Sequence, residues 1–318
     1  MPLDHLDHLV IATRGSRLAL CQAELIAARL AEHHPGLDVD LQVVTTSGDR
    51  DRRPFADIAG TGLFMAEVER AVLEGRADMA VHSAKDLTAE LAQGAVIACV
   101  PHREDPRDVI VGGRGSNGQE RLASLPSGAR VGTSSMRRQA LALEARPDLE
   151  MVELRGNVDT RLATVARGEI DAAVVAAAGL ERLEAQAEAG PLDESWWVPA
   201  PGQGALAIET VAGRTEVADL LAPLRDPRSE AELICERAFA ARLEGGCSVP
   251  LGCLATASGS TLVVTGFVGA PDGSHGLRDR ISGPATDASA LGIELAEAIL
   301  DSGGKDILDD VHAEADLG

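Results

Sequence analysis

Lys85 and Asp86 close the run Val81-His-Ser-Ala-Lys-Asp86, the place in this sequence where acid-base chemistry is to be sought. The chain has 29 lysines and arginines, and only Lys85 and Lys305 among them are lysines. A composition so biased toward arginine does not put a lysine beside an aspartate by chance. A fixed carboxylate there suits stabilisation of a developing positive charge or relay of a proton. A helix cap before Leu87-Thr88-Ala89 is the plainer alternative for Asp86. The second reactive type is Cys247, in Leu243-Glu-Gly-Gly-Cys-Ser-Val-Pro250. Two glycines before it and a proline soon after describe an exposed loop, where a thiol is a nucleophile or an attachment point. Cys21, Cys99 and Cys235 lie in apolar segments and read as core residues.

Arginine supplies the binding chemistry. Between Glu120 and Glu144 there is no acid, yet Arg121, Arg130, Arg137 and Arg138 all fall there, and Arg14 and Arg17 occupy another acid-free window between Asp7 and Glu24. In a chain of net charge −21, cations cleared of acids point to a polyanionic ligand, because guanidinium forks grip carboxylates and phosphates bidentately. Val131-Gly-Thr-Ser-Ser-Met-Arg-Arg-Gln-Ala140 reads as a strand end, a turn and a helix start, which turns free N–H groups, hydroxyls and two cations toward one place. Leu154-Arg-Gly-Asn-Val-Asp-Thr-Arg161 repeats the arrangement, and Thr13-Arg-Gly-Ser16 does so a third time. An ordinary Ser N-cap and solvated surface arginines are the plainer alternative.

Composition excludes several classes. With 318 residues, 45% of them apolar, the chain can bury substantial cores and is expected to be soluble, with two or three domains. No apolar run is long enough to cross a bilayer, and Met1 to Val10 lacks the pattern of a signal peptide, so the reading is cytoplasmic. The acidity argues against contact with nucleic acid or anionic membrane. Five cysteines without a CxxC spacing and eight histidines without paired ligand spacing imply neither a disulfide framework nor a metal.

The elements that must position these residues alternate between β-branched runs and helical periodicity. Strands are predicted at His8 to Thr13, Val39 to Thr45 and Met79 to His82, with helices at Leu18 to His33 and Leu63 to Leu73. After the prolines of 101–106 the grammar restarts. Strands are predicted near Asp108 to Val111, Ala129 to Gly132, Met151 to Leu154 and Ala172 to Ala176, and helices near Ser135 to Ala145 and Val158 to Arg167. A short strand, Ala205 to Ile208, follows Pro199, Pro201, Gly202 and Gly204. A third unit holds the helix Glu230 to Leu243, a β-rich stretch Leu254 to Val268 and a final helix Ala288 to Leu300. Two α/β domains joined by two crossings suggest a cleft between them, and no internal sequence repeat is evident.

The runs Ile11-Ala-Thr-Arg-Gly-Ser16, Val81-His-Ser-Ala-Lys-Asp86, Glu104-Asp-Pro-Arg-Asp108, Gly132-Thr-Ser-Ser-Met-Arg-Arg-Gln139, Leu154-Arg-Gly-Asn157, Pro201-Gly-Gln-Gly-Ala205 and Arg242-Leu-Glu-Gly-Gly-Cys247 together closely resemble the porphobilinogen deaminase family. The resemblance runs in order from about Val10 to Leu254. It implies three α/β domains: residues 1–102 with 203–224, residues 103–202, and a small α+β domain, residues 225–318, carrying the cofactor cysteine. The first two would be built like type II periplasmic binding proteins around a cleft. It also implies a transferase of tetrapyrrole biosynthesis, monomeric, that deaminates four porphobilinogen molecules, joins them head to tail on a covalent dipyrromethane cofactor and releases hydroxymethylbilane by hydrolysis.

Each residue singled out then has an implied role. Cys247 would carry the cofactor as a thioether. Lys85, Ser135, Arg137, Arg138 and Arg161 would hold its carboxylates, while Arg14, Ser16, Arg155, Arg182 and Gln203 would hold the incoming ring. Asp86 would stabilise the positive azafulvene formed as ammonia leaves, with cations nearby favouring its charged form. The loop Gly48 to Gly60 is polar and contains proline, as a lid would, and Phe64 beyond it is a candidate for stacking on a pyrrole. Relatives often carry lysine before Gly-Leu-Phe, whereas Thr61 stands there, so a contact from that segment is not implied. An anion-binding protein without chemistry would explain the arginines but not Cys247 or Lys85-Asp86, and a phosphate-handling transferase lacks a Walker-type loop.

Overall fold

The computed structural model describes residues 6–44, 65–88, 90–243 and 249–317. By the density of contacts the chain divides into two compact units, residues 1–104 with 205–230, and residues 105–204 with 231–318. Among the described residues there are three sheets, and the whole is mixed α/β with a small C-terminal domain.

In the first unit, β1 (His8–Arg14) runs parallel to β2 (Asp38–Val44) on one side and to β3 (Met79–Ser83) on the other. Beyond β3 lies β10 (Leu206–Val211), antiparallel to β3 and to the edge strand β4 (Ala95–Cys99). Alternation along the strands gives each face its partner. Leu9, Ile11, Met79, Val81 and Ile208 pack with Ile26 and Leu30 of α1 (Arg17–His33), whereas Ala12 and Ala80 face Val68 and Val72 of α2 (Ala66–Leu73). Alanine on that second face lets α2 approach closely.

The second unit repeats the topology. Its sheet is ordered β7 (Glu150–Val152), β6 (Arg130–Gly132), β8 (Ala172–Ala176), β5 (Asp108–Gly112), β9 (Ala189–Pro191). β6 is parallel to β7 and β8, and β5 is the antiparallel insertion that β10 is in the first unit. The repeat is topological, carried by strand order and not by residue identity. Helices α3 (Gly118–Ala123), α4 (Met136–Ala145), α5 (Val158–Ala166) and α6 (Ala177–Arg182) connect the strands. The helix α7 (Thr215–Leu221) belongs to the first unit.

The third sheet is an antiparallel meander, β11 (Leu251–Ser258), β12 (Thr261–Gly269) and β13 (Gly276–Pro284). Phe239 of α8 (Pro227–Arg242), Leu243 just after it, and Leu295 and Ile299 of α9 (Ala288–Ile299) bury one face of it. The predicted final helix is not the last, because α10 (Lys305–Leu317) follows a left-handed Gly303, φ 105°. The strand β13, rich in charge and half exposed, and the edge strands β4 and β9 carried too weak a periodic signal to be predicted.

Candidate active site

Arg14 ends β1, and the chain turns through Gly15 into α1, whose N-cap is Ser16; its Oγ accepts from the N–H of Ala19 at 3.2 Å. Thr13 donates from Oγ1 to the carbonyl of Ala19 at 3.1 Å and stiffens the same turn. On the neighbouring strand, β3 passes into a single 3-10 turn, Ala84–Asp86. The N–H of Ala84 donates to Ala205 O at 3.0 Å, and that of Leu87 to Ala84 O at 3.3 Å. Leu87 is extended, φ −69° and ψ 142°. No helix begins there for Asp86 to cap, so the plainer reading of that residue fails on backbone geometry.

These strand ends enclose a pocket whose lining includes Arg14, Ser16, Leu18, Gln22, Met65, Val68, His82, Ser83 and Asp86. Three residues chosen from the sequence, Arg14, Ser16 and Asp86, thus arrive in one place from two separate segments. Asp86 is exposed and Lys85 half-buried. Gln22 was not anticipated. It is buried in α1, donates from Nε2 to Ser83 Oγ at 2.8 Å and accepts from that hydroxyl at 3.1 Å. No local signal marked it, because a glutamine in an amphipathic helix reads as a solvated residue.

In the second unit the N-termini of α4 and α5 lie at the ends of the adjacent parallel strands β6 and β7. Ser134 Oγ donates to Leu154 O at 2.6 Å and ties the two turns together. Ser135 caps α4, accepting from the N–H of Arg138 at 3.4 Å, and Asn157 caps α5, accepting from Thr160 at 2.9 Å. Gly156 sits at φ +95°, where a Cβ would meet Thr160 at 3.0 Å, so the Arg155-Gly-Asn turn requires its glycine. Arg155, half-buried, pairs with Glu153 at 2.8 Å. Arg161 Nε donates to Gly156 O at 3.0 Å, and Arg182 Nη2 to Gly204 O at 2.7 Å.

Arg137 and Arg138 are placed differently from the sequence reading. Both are buried against Asp108, itself wholly buried: Arg137 Nη2 donates to Oδ2 at 2.8 Å and Arg138 Nη2 to Oδ1 at 2.7 Å. The remaining arms reach Val198 O and Val174 O. Trp197 Nε1 also donates to Oδ2, at 2.8 Å. Burial opposes ionisation of Asp108, but the two guanidiniums and the Gln203 amide outweigh it and hold its carboxyl well below the usual carboxylate range. Asp108 is thus an internal anion that both arginines answer. Gln203, expected to touch substrate, lies in the same core. It is 1% exposed and donates from Nε2 to Asp108 Oδ1 at 2.8 Å and to Pro106 O at 2.7 Å. Arg121 and Arg130 likewise serve carbonyls, of Gly112 and Glu169. The acid-free window was empty of acids only along the chain.

Cys247, Phe64, Thr61 and the lid residues 48–60 lie outside the described residues. Of the others, Cys99 and Cys235 are buried, and burial pushes both thiols up to about 12, so they are core groups and not nucleophiles.

Fold and site together describe an α/β protein with two like-built units, each presenting cations and helix N-termini at strand ends, and a small third domain. Residues 9–219 match the model for the porphobilinogen deaminase dipyromethane cofactor binding domain, and residues 231–301 that for the porphobilinogen deaminase C-terminal domain. The chain is 48% identical over 304 residues to the porphobilinogen deaminase of Roseiflexus castenholzii, covering 95% of this chain and 99% of the relative. The chain belongs to the porphobilinogen deaminase family and is an enzyme of it. Solved structures with partial likeness include the aliphatic sulphonate binding protein SsuA of Escherichia coli, at 14% identity over 75% of this chain and 71% of that one, TM-score 0.40. Another is the Azotobacter vinelandii molybdate-binding protein, at 14% identity over 71% and 96%, TM-score 0.38. The family assignment stands on the sequence matches.

Proposed function

We propose that Asp86 is the group on which deamination and coupling of porphobilinogen turn, with Arg14 and Ser16 beside it to hold the substrate. The observation that carries this is the pocket itself, which joins an exposed carboxylate, a guanidinium and a hydroxyl on one apolar floor of Leu18, Met65 and Val68. Departure of ammonia leaves positive charge on the substrate, and a carboxylate held by a short, closed turn stabilises that charge without reorganising. The same carboxylate can take and return a proton as carbon–carbon coupling proceeds. Arg14 pairs with a substrate carboxylate and orients the ring.

The family's cofactor, a dipyrromethane, supplies the growing chain's point of attachment when bound. In the second unit the N-termini of α4 and α5, with Ser135 and Arg161, fit its acidic side chains, and Lys85 is assigned to it by the family's pattern. Arg155 and Arg182 are assigned to the incoming ring. Attachment is assigned to Cys247, supported by the burial of Cys99 and Cys235 in cores. Arg137 and Arg138 are assigned to the cofactor's carboxylates by the family's pattern, and through Asp108 they fix where α4 begins.

The second unit is read as two domains, 103–202 and 225–318. Separate sheets and separate family-model matches, 9–219 and 231–301, support that division. A cytoplasmic monomer without nucleic-acid or membrane partners is the accompanying reading. It is supported by the net charge of −21 and by the absence, among the described residues, of a helix long and apolar enough to cross a membrane. The test is the intact mass of the purified protein: an excess of two pyrrole rings, with a red Ehrlich reaction, is expected. A mass equal to the bare polypeptide, unchanged after incubation with porphobilinogen, would overturn the reading.

A further inference from the structure

His82, which lines the pocket, and Glu209 and Glu69 behind it form a buried group of ionisable side chains that the reaction as described does not use. Their relative exposures are 4%, 0% and 8%. Glu209 lies two residues beyond Ala207, the partner of His82 across the β3–β10 ladder, so the two side chains are diagonal neighbours on one face of the sheet. His82 Nε2 is 3.2 Å from Glu209 Oε2. Among the described residues neither oxygen of Glu209 has a hydrogen-bond donor of good geometry. Glu69 comes from α2 on the same face, and the charges that act on it are Glu209 of β10 and His82 of β3. The other strands facing α2 bring Val10, Ala12 and Val44.

Such a cluster is a poor way to stabilise a sheet. A buried ion pair adds little over apolar side chains of the same volume, and a desolvated carboxylate without donors is costly. Its location suggests another use. His82 and Ser83 are the last two residues of β3 before the turn that carries Asp86, and they point to opposite faces. Ser83 is tied to Gln22 on the α1 face, and His82 to Glu209 on the α2 face.

We propose that His82, held by Glu209, is a positioning residue. It and Ser83 clamp the end of β3 from both faces and so fix the Ala84–Asp86 turn against the pocket. Although it lines the pocket, it acts through the placement of Asp86. The inference rests on the assignment of Asp86 above.

The test compares holoenzymes carrying Glu209→Gln, His82→Asn, and both changes. Each single change strands a buried partner and should lower the melting temperature. The double variant replaces the charged pair by two amides that can bond to each other, and its melting temperature should recover toward the native value. If His82 positions Asp86, kcat of the double variant stays about tenfold to a hundredfold low while KM is little changed, since small displacements of a reacting group cost rates of that order. Recovery of kcat together with the melting temperature would show a purely structural pair and overturn the proposal. So would a raised KM with normal kcat, which would put His82 in contact with substrate. If the double variant does not accumulate, Glu209→Asp keeps the charge, withdraws it by one methylene and is judged by the same two outcomes. Normal turnover in Asp86→Asn would remove the underlying assignment, whereas normal turnover in the His82 and Glu209 variants would remove this inference alone.

Discussion

Asp108 Oδ1 accepts from Arg138 Nη2 at 2.7 Å across thirty residues of sequence, inside a core where Asp108 has no exposed surface. The pair gives the Arg137-Arg138 motif a structural role inside the core. It also predicts that charge loss at this site acts on the fold first. Asp108→Asn leaves two buried guanidiniums without a counter-charge and should cost about 3–5 kcal/mol in denaturant unfolding. Because the folded carboxyl titrates below its unfolded value of about 4, its contribution is present above that pH and is lost as pH falls through the folded value. The variant's acid limb should accordingly be flatter. Native stability in Asp108→Asn would remove the structural role.

Arg155 should behave in the opposite way. Its partner Glu153 is at the surface, with side-chain exposures of 38% and 52%, and such a pair contributes about 0–1 kcal/mol. Arg155→Leu should melt normally and retain cofactor, yet lose kcat/KM by on the order of a hundredfold, as when one partner of a desolvated charge pair is removed. Normal kinetics would take Arg155 out of the site.

Asp86→Asn keeps shape and a hydrogen-bond acceptor but not charge. With cofactor supplied by preformed tetrapyrrole, ammonia release under saturating porphobilinogen should slow by roughly a hundredfold or more. Glu should fall between the two, with its charge displaced. Near-native turnover of the Asn variant would transfer the role to another carboxylate.

The thiols separate by environment. Cys247→Ala should fold but carry no covalent pyrrole by intact mass, whereas Cys99→Ala, in a core and with its thiol pushed up to about 12, should keep it. An adduct surviving in the Cys247 variant would place attachment elsewhere.

Glu69 provides a pH signature on the alkaline side of the carboxylate range. Burial first, and then the charge of Glu209, raise its folded value above the unfolded one. Its contribution to stability is full below the unfolded value and is lost as pH rises through the folded value. Glu69→Gln should abolish that part of the stability-pH curve. A curve identical to the native one would show that the folded protein does not raise Glu69.

The sequence by itself determined the family, most strand and helix positions, and the residues Arg14, Ser16 and Asp86 that meet in one pocket. These were legible because each lies in a short run whose turn chemistry is local: a strand end, a glycine or small residue, and a helix or 3-10 start. What only the tertiary structure decided is which charges meet. Arg137 and Arg138 stand in a window without acids, and nothing nearby in sequence shows that Asp108 fills the space between them, because β5 is inserted antiparallel into the sheet, beside β8. Gln203 was drawn into the same core from the far end of the unit, and His82 and Glu209 were joined by a pairing between strands over a hundred residues apart. Local propensity acts over a few residues, whereas burial of an ion requires a partner wherever the fold can bring one, so the partners of buried charges are set by topology.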